Sequence, residues 1–220
     1  MNSLDIDKLK SNLPKTPGIL KKENYFNSAV LIPLIFLNGE YSLLFEKRAA
    51  GIRQGGEICF PGGEFDPLYD QNFLDTAIRE TVEETGIDKA SIDLIGQLDT
   101  FIGPMGVTVD SFIAIINIPN INNLSFDKNE VEKLFTVPIS FFVNTQPDKY
   151  FVKLKFHPEE IDKNGNTVIT FPAEELKLPS RYSKPWHGRK HEIFVYKTNG
   201  EIIWGITAEL IREIIDKISI

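Results

Sequence analysis

Nine residues constrain this chain more than any other stretch: Arg79-Glu80-Thr81-Val82-Glu83-Glu84-Thr85-Gly86-Ile87, preceded by Phe60-Pro61-Gly62-Gly63. Wound as a helix, the stretch places Glu80, Glu83 and Glu84 at i, i+3 and i+4 on one face. The opposite side then offers Leu74, Ile78 and Val82 to a core. Three carboxylates on one face repel by only about 0.2–0.5 kcal/mol per exposed pair, so the helix forms unaided and still attracts a cation. Hard oxygen donors of this kind suit Mg²⁺ or Mn²⁺ rather than zinc. Gly62 and Gly63 let the backbone turn sharply and approach a ligand. A solvated acidic helix face is the plain alternative, and the neighbouring Phe60–Gly63 turn argues against it.

These residues resemble the second half of the Nudix hydrolase signature, R-E-U-x-E-E-x-G-U with U aliphatic. Arg79, Glu80, Glu83, Glu84, Gly86 and Ile87 match, and Thr81 stands where an aliphatic residue is usual. The first half departs. The family pattern allows thirteen residues between its Gly and its Arg, whereas fifteen (64 to 78) separate Gly63 from Arg79. The early Glu of the pattern, eight residues before the Arg, is Gln71, so one acid is missing and the loop feeding the helix is longer.

The flanks resemble the coenzyme A pyrophosphatase branch. Leu44-Phe45-Glu46-Lys47-Arg48, Gly56 before Phe60-Pro61-Gly62-Gly63, and Asp66 follow its extra signature, with its intermediate Arg one place out of register at Arg53. Glu130-Val131, Phe135 to Phe142, and Ile203-Trp204-Gly205-Ile206-Thr207-Ala208 are similar to later stretches of that branch. The resemblance runs from about Val30 to about Leu210. It implies an α/β fold, an α/β/α sandwich with a mixed central β-sheet, as a single domain over 25–220 behind an N-terminal helix and arm at 1–24.

The resemblance also implies roles. Glu80 and Glu84 are expected to be the principal ligands of Mg²⁺ or Mn²⁺, with Glu83 a further ligand or the base that orients water. The Gly62 carbonyl is expected to complete the coordination, and Arg79 to brace a Glu carboxylate through its guanidinium fork. Glu130 is the candidate general base from a later loop. Arg48, Arg53 and Gly63 are the substrate-binding candidates, either arginine serving a 3′-phosphate. The implied substrate is coenzyme A or a CoA thioester, cleaved to adenosine 3′,5′-bisphosphate and 4′-phosphopantetheine. ADP-ribose, a nucleotide sugar or a nucleoside triphosphate would use the same site, and a nucleotide sensor without catalysis is the reading of a different class.

Composition sets outer bounds. The 220 residues suffice for a real core, and a net charge of −7 disfavours nonspecific nucleic-acid binding. A small-molecule partner is expected, with no nucleic acid and no membrane, and a monomer or homodimer. No apolar run reaches the length of a membrane span. One cysteine, Cys59, and an N-terminus without a secretory pattern lead to a cytoplasmic expectation. An anionic substrate then needs local cations: Lys47, Arg48 and Arg53, or the stretch Arg181, Lys184, His187, Arg189, Lys190 and His191. Gly103–Gly106 and Trp186 are candidate linings for an apolar slot.

The pattern predicts strands over 29–37 and 41–46 joined by an Asn38-Gly39 hairpin turn, then a strand over 58–60. A helix over 72–85 closed by Gly86 follows, then strands over 92–101 and 107–118. Short helices are expected over 130–135 and 139–142. Strands over 150–156 and 167–171 are expected to be turned by Asn164-Gly165, with another over 192–196. A last helix begins at Thr207, with Ile206, Leu210, Ile211, Ile214 and Ile215 as its core face.

Overall fold

The computed structural model describes residues 3–219; Met1, Asn2 and Ile220, the ends of the expected N-terminal arm and last helix, lie outside the described residues. In chain order the elements are α1 (Ser3–Asn12), β1 (Phe26–Leu37), β2 (Glu40–Arg48), β3 (Ile58–Cys59), β4 (Gly62–Glu64) and α2 (Phe73–Thr85). There follow β5 (Ile92–Gln97), β6 (Phe101–Gly103), β7 (Val107–Ile116), β8 (Val131–Pro138), α3 (Ile139–Asn144) and β9 (Asp148–Phe156). The chain ends with β10 (Glu159–Ile161), β11 (Thr167–Ile169), β12 (Trp186–Lys197), β13 (Ile202–Trp204) and α4 (Gly205–Ile218). Two compact units result: Met1–Gly56 with Phe60–Thr136, and Glu57–Cys59 with Val137–Ile220.

The first unit is built on a mixed sheet, as the expected α/β fold requires. β1 is its centre, parallel to β7 along one edge and antiparallel to β2 and β4 along the other. β5 and β6 pair antiparallel with β7, and β8 pairs with β2. Asn38 (φ 52°) and Gly39 (φ 91°) form the β1–β2 hairpin turn, both in the left-handed region that two-residue hairpins demand. Ala29, Leu31, Ile35, Leu44, Phe112, Ala114 and Ile116 line the sheet face that meets Ala77 of α2. Leu43 and Phe45 alternate to the other face, where the Phe45 ring stacks between Phe60 (4.9 Å) and Phe135 (5.6 Å).

α2 begins at Asn72, whose side chain accepts from the Asp75 amide, and ends at Gly86 with φ 72°. Its buried face differs from expectation. Leu74 packs half-buried against the core as expected, but Ile78 and Val82 are only half-buried, while Thr76, Ala77, Thr81, Glu84 and Thr85 are buried. Small residues let the helix backbone lie close to β1 and β4, and a close approach is what carries Glu84 inward. Thr81 fits this face because its hydroxyl bonds back to the Ala77 carbonyl at 2.6 Å, hiding its polar atom where an aliphatic residue is usual.

In the second unit β12 pairs antiparallel with β9 and β13. α4 packs on β12 and β13, with Leu210, Ile211 and Ile214 buried; Ile206 and Ile215 are only half-buried. Arg212 lies 4.0 Å over the Phe194 ring. Two expectations fail on strand pairing. The segment after Glu130 is strand β8, not a short helix; its Val131-Glu132-Lys133-Leu134-Phe135 run is β-prone, and pairing with β2 decides it. Asn164-Gly165 turns β10 into β11, not β9 into β11, because β9 takes β12 as partner.

Candidate active site

The site is assembled in the first unit where α2 faces the Gly62-Gly63 turn. β4 is held against β1 in the register Val30↔Gly62 and Ala29↔Gly63. The Gly62 amide donates to Oε2 of Glu84 at 2.8 Å. A Cβ on Gly63 would fall on the Glu80 carboxylate, so the missing side chain is the space that carboxylate occupies. Glu80 and Glu84, one helical turn apart, are thereby brought to the same two glycines.

Burial then sets their chemistry. Desolvation pushes the Glu84 carboxyl up from 4.5 to about 9; the nearby Glu46 charge is the next cause, and the Gly62 hydrogen bond opposes both. Glu80 is raised mainly by burial, with Arg79 opposing and the charges of Glu83 and Glu130 adding to the rise. Carboxylates held together in a poorly solvated place are a cation's donor set, since a divalent ion offsets both the desolvation and the mutual repulsion. The residues fit such an ion by this chemistry and by the glycine at 63, whose missing side chain lets the Glu80 carboxylate lie against the turn. Among the described residues no three His, Cys, Asp or Glu side chains are already gathered as a ligand group. The reason is visible: Arg79 holds Glu80 and Glu83, and the Gly62 amide holds Glu84.

Arg79 is the hub of the helix face. Its Nη1 donates to Glu80 at 2.7 Å and to the exposed Glu83 at 3.1 Å, as a brace for a Glu carboxylate. Its bidentate partner, however, is Asp70: Nε to Oδ1 and Nη2 to Oδ2, both 2.9 Å. Asp70 is buried and also accepts from the Thr76 hydroxyl and the Asp66 amide. The Arg79 hydrogen bonds above all, with those from Asp66 and Thr76, hold its carboxyl at about 2, below the usual 3.8, against the opposing effect of burial. Arg79 thus has its bidentate acid partner one residue before Gln71, in the longer loop. Sequence reading missed Asp70 because it counted from a fixed spacing; an acid nine residues before Arg79 was the available signal.

Glu46 is the second residue missed. It closes the buried run Leu43-Leu44-Phe45 on β2, is fully buried, and lies near enough to Glu84 for its charge to be felt there. A lone acid in an apolar strand was the signal. Arg48 accompanies it, with Nη1 3.6 Å from Glu46 Oε1 and Nε donating to the Arg53 carbonyl at 3.2 Å. The Arg53 guanidinium stands 5.3 Å over the Phe26 ring. Glu130 is exposed, its carbonyl accepts from the Ala49 amide at 2.8 Å, and its charge reaches Glu80.

The remaining candidates sit elsewhere. Trp186 stacks on Phe156 at 5.6 Å in the second unit, with Tyr182 edge-on at 5.5 Å, and Arg181 donates to the Tyr182 hydroxyl at 2.6 Å. Gly103–Gly106 is the β6–β7 turn, with Met105 exposed. Among the described residues no helix is long and apolar enough to cross a membrane.

Comparison with known proteins places these features in a family. Residues 26–182 match the NUDIX domain. The chain is similar to the uncharacterized Nudix hydrolase NudL of Yersinia pestis (strain Pestoides F) and of Yersinia pseudotuberculosis serotype O:1b (strain IP 31758). Each is 28% identical over 225 residues, spanning 98% of this chain and 94% of the relative. Among solved structures, a MutT/nudix family protein from Enterococcus faecalis aligns with all of this chain and 70% of its own, at 15% identity and TM-score 0.49. A C. elegans Ap4A hydrolase binary complex aligns over 54% of this chain and 83% of its own, at 20% identity and TM-score 0.44.

Proposed function

The chain belongs to the Nudix family, and on that premise we propose that its substrate is coenzyme A or a CoA thioester, hydrolysed at the pyrophosphate. The observation that carries a hydrolytic site is the convergence of the Glu80 and Glu84 carboxylates on the Gly62-Gly63 turn. Water adds to one phosphorus and the bridging P–O bond breaks, giving adenosine 3′,5′-bisphosphate and 4′-phosphopantetheine. The CoA assignment is supported by the sequence stretches around Leu44–Arg48, Gly56–Asp66 and Ile203–Ala208.

Glu80 and Glu84 are the side chains that would hold Mg²⁺ or Mn²⁺, with Glu83 and the Gly62 carbonyl as further donors. Such an ion, when bound, supplies charge neutralisation at the phosphoryl oxygens and lowers the pKa of water. Arg79 orients Glu80 and Glu83 and keeps their carboxylates from spreading apart. Glu130, exposed and electrostatically coupled to Glu80, is the group proposed to take the proton from water. Gly63, beside the Glu80 carboxylate, is proposed as a backbone contact for the substrate, and Arg48 and Arg53 are the cations proposed for its 3′-phosphate. The protein is proposed to work in the cytoplasm.

The test is hydrolysis of CoA with Mg²⁺ or Mn²⁺, products resolved by mass, with ADP-ribose and nucleoside triphosphates in parallel. Release of adenosine 3′,5′-bisphosphate that disappears in Glu84→Gln is the expected result. Turnover of another substrate instead would overturn the CoA assignment and leave the Nudix chemistry standing. Binding of nucleotide without any turnover would favour the sensor reading.

A further inference from the structure

Two residues more than the family pattern separate Gly63 from Arg79, and that extra length has a definite shape. Asp66–Asp70 closes as a tight turn. The Tyr69 and Asp70 amides donate to the Asp66 carbonyl at 3.0 and 2.8 Å, and the Leu68 amide donates to Asp66 Oδ1 at 2.9 Å. The Asp66 amide donates to Asp70 Oδ2 at 3.1 Å, and Asp70 is in turn gripped by Arg79. The turn is thus tied to the residue that orders the acidic helix face. At its tip Tyr69 is nevertheless 75% exposed.

A large ring kept in water on a fixed turn does little for the fold, and its surroundings suit a ligand. Tyr69 lines a cleft of about 530 Å³ together with Glu64, Phe65, Asp66, Arg79 and Glu80. Tyr69 and Arg79 also line a second cleft of about 450 Å³, together with Asp70, Ile78, Val82 and Glu83. Both volumes lie in the range of small-molecule sites. Glu64 and Asp66, which are not among the proposed metal ligands, oppose a phosphate beside Tyr69, so the part of a nucleotide that belongs there is a neutral flat one. A nucleoside diphosphate carries its base one ribose away from the reacting phosphorus, so a platform must stand beside the acidic face rather than on it.

We propose that Tyr69 is the stacking platform for the substrate's nucleobase, which makes the Asp66–Asp70 turn a specificity element of the reaction; this rests on the function proposed above. Tyrosine offers a broad π surface with few rotors to immobilise, and base–aromatic stacking tolerates different bases.

The test compares Tyr69→Phe, Tyr69→Leu and Tyr69→Ala by steady-state kinetics and by calorimetric titration. The titrants are adenosine 3′,5′-bisphosphate and, as a base-free comparator, inorganic pyrophosphate. Leu and Ala are expected to raise KM and weaken the adenosine nucleotide about tenfold, with kcat changed less than about twofold, as for lost uniform binding. Pyrophosphate affinity should not follow, and Phe should restore parent behaviour. Leu matching the parent in KM and titration, or a fall in kcat shared by Phe, overturns the proposal. If the parent turns over ADP-ribose or a triphosphate rather than CoA, the CoA reading fails and the same variants decide Tyr69 on that substrate, with AMP as titrant. If the parent turns over nothing, the hydrolytic reading fails and the titrations alone decide Tyr69.

Discussion

Arg79 reaches Asp70 through two parallel hydrogen bonds of 2.9 Å, leaving Nη1 to bridge Glu80 and Glu83. One guanidinium thereby ties a loop that arrives from outside the helix to the acidic face that would hold the cation. Asp70→Asn removes the charge and one of the two acceptors. Groups that orient metal ligands typically change activity by about 10–100-fold when removed, and kcat/KM should fall by that amount. Glu83→Gln, at an exposed carboxylate, should leave stability within about 0.5 kcal/mol. Denaturant titration alongside kinetics checks both.

Asp70 also sets an acid limit. Its folded-state pKa of about 2 lies below the ordinary 3.8, mainly through the hydrogen bonds from Arg79. A depressed carboxylate contributes stability that is present above 3.8 and is lost as pH falls through about 2. Between pH 4 and 2 the parent should therefore lose more stability than Asp70→Asn, measured as the change in Tm across that window.

Gly62 and Gly63 adjoin each other but should fail differently. A Cβ on Gly62 would run into the Ala29 carbonyl, a backbone atom that β1 fixes. Gly62→Ala is expected to cost about 2 kcal/mol or more in stability, as overpacking does. The three atoms nearest a Cβ on Gly63 all belong to the end of the flexible Glu80 side chain, which can swing away. Gly63→Ala should fold with a loss under about 1 kcal/mol and yet lose about 100-fold or more in kcat, because Glu80 no longer holds its place. Chemical denaturation and steady-state rates separate the two.

Glu84 links stability to metal. With its pKa raised to about 9, mainly by burial, the folded protein without metal holds a proton that the unfolded chain releases near 4.5. That contribution is complete below 4.5 and is lost as pH rises through about 9. In chelator the Tm should fall between pH 5 and 9; Mg²⁺ or Mn²⁺ should recover part of it at the alkaline end, and Glu84→Gln should flatten the slope. An unchanged slope in that variant would contradict the assignment.

Arg48 can be separated from a purely substrate-binding role. Its guanidinium lies 3.6 Å from Glu46, a fully buried carboxylate. Arg48→Ala should destabilise the protein by about 1–2 kcal/mol, between the scales for an exposed and a buried charge pair because only Glu46 is buried, before any substrate is added. Urea titration reads this directly, and an effect confined to KM would assign Arg48 to substrate alone.

The helix and its caps were legible in the residues because they are local. Asn72, Gly86 and the spacing of Glu80, Glu83 and Glu84 act within one or two turns, and so did the Asn38-Gly39 hairpin. What pattern reading misjudged was long-range. Val131–Phe135 has a β-prone composition over too short a run for periodicity to decide, and β2 settles it as a strand. Leu74 packs on the core as expected, but the rest of the buried face of α2 is Ala77, Thr81 and Thr85 rather than Ile78 and Val82, because a sheet close by favours small residues at the contact.

The acidic helix, the glycine turn before it and the mixed α/β character were written locally, since each follows from spacing and backbone preference along a few neighbouring residues. It took the packing of separate segments to bring Asp70 onto Arg79 and to put Glu46 within electrostatic reach of Glu84 across 38 residues of chain. The same packing makes Gly63 the hollow for Glu80. These are relations between segments distant in the chain. Strand register and desolvation fix them, and neither is written in any one segment.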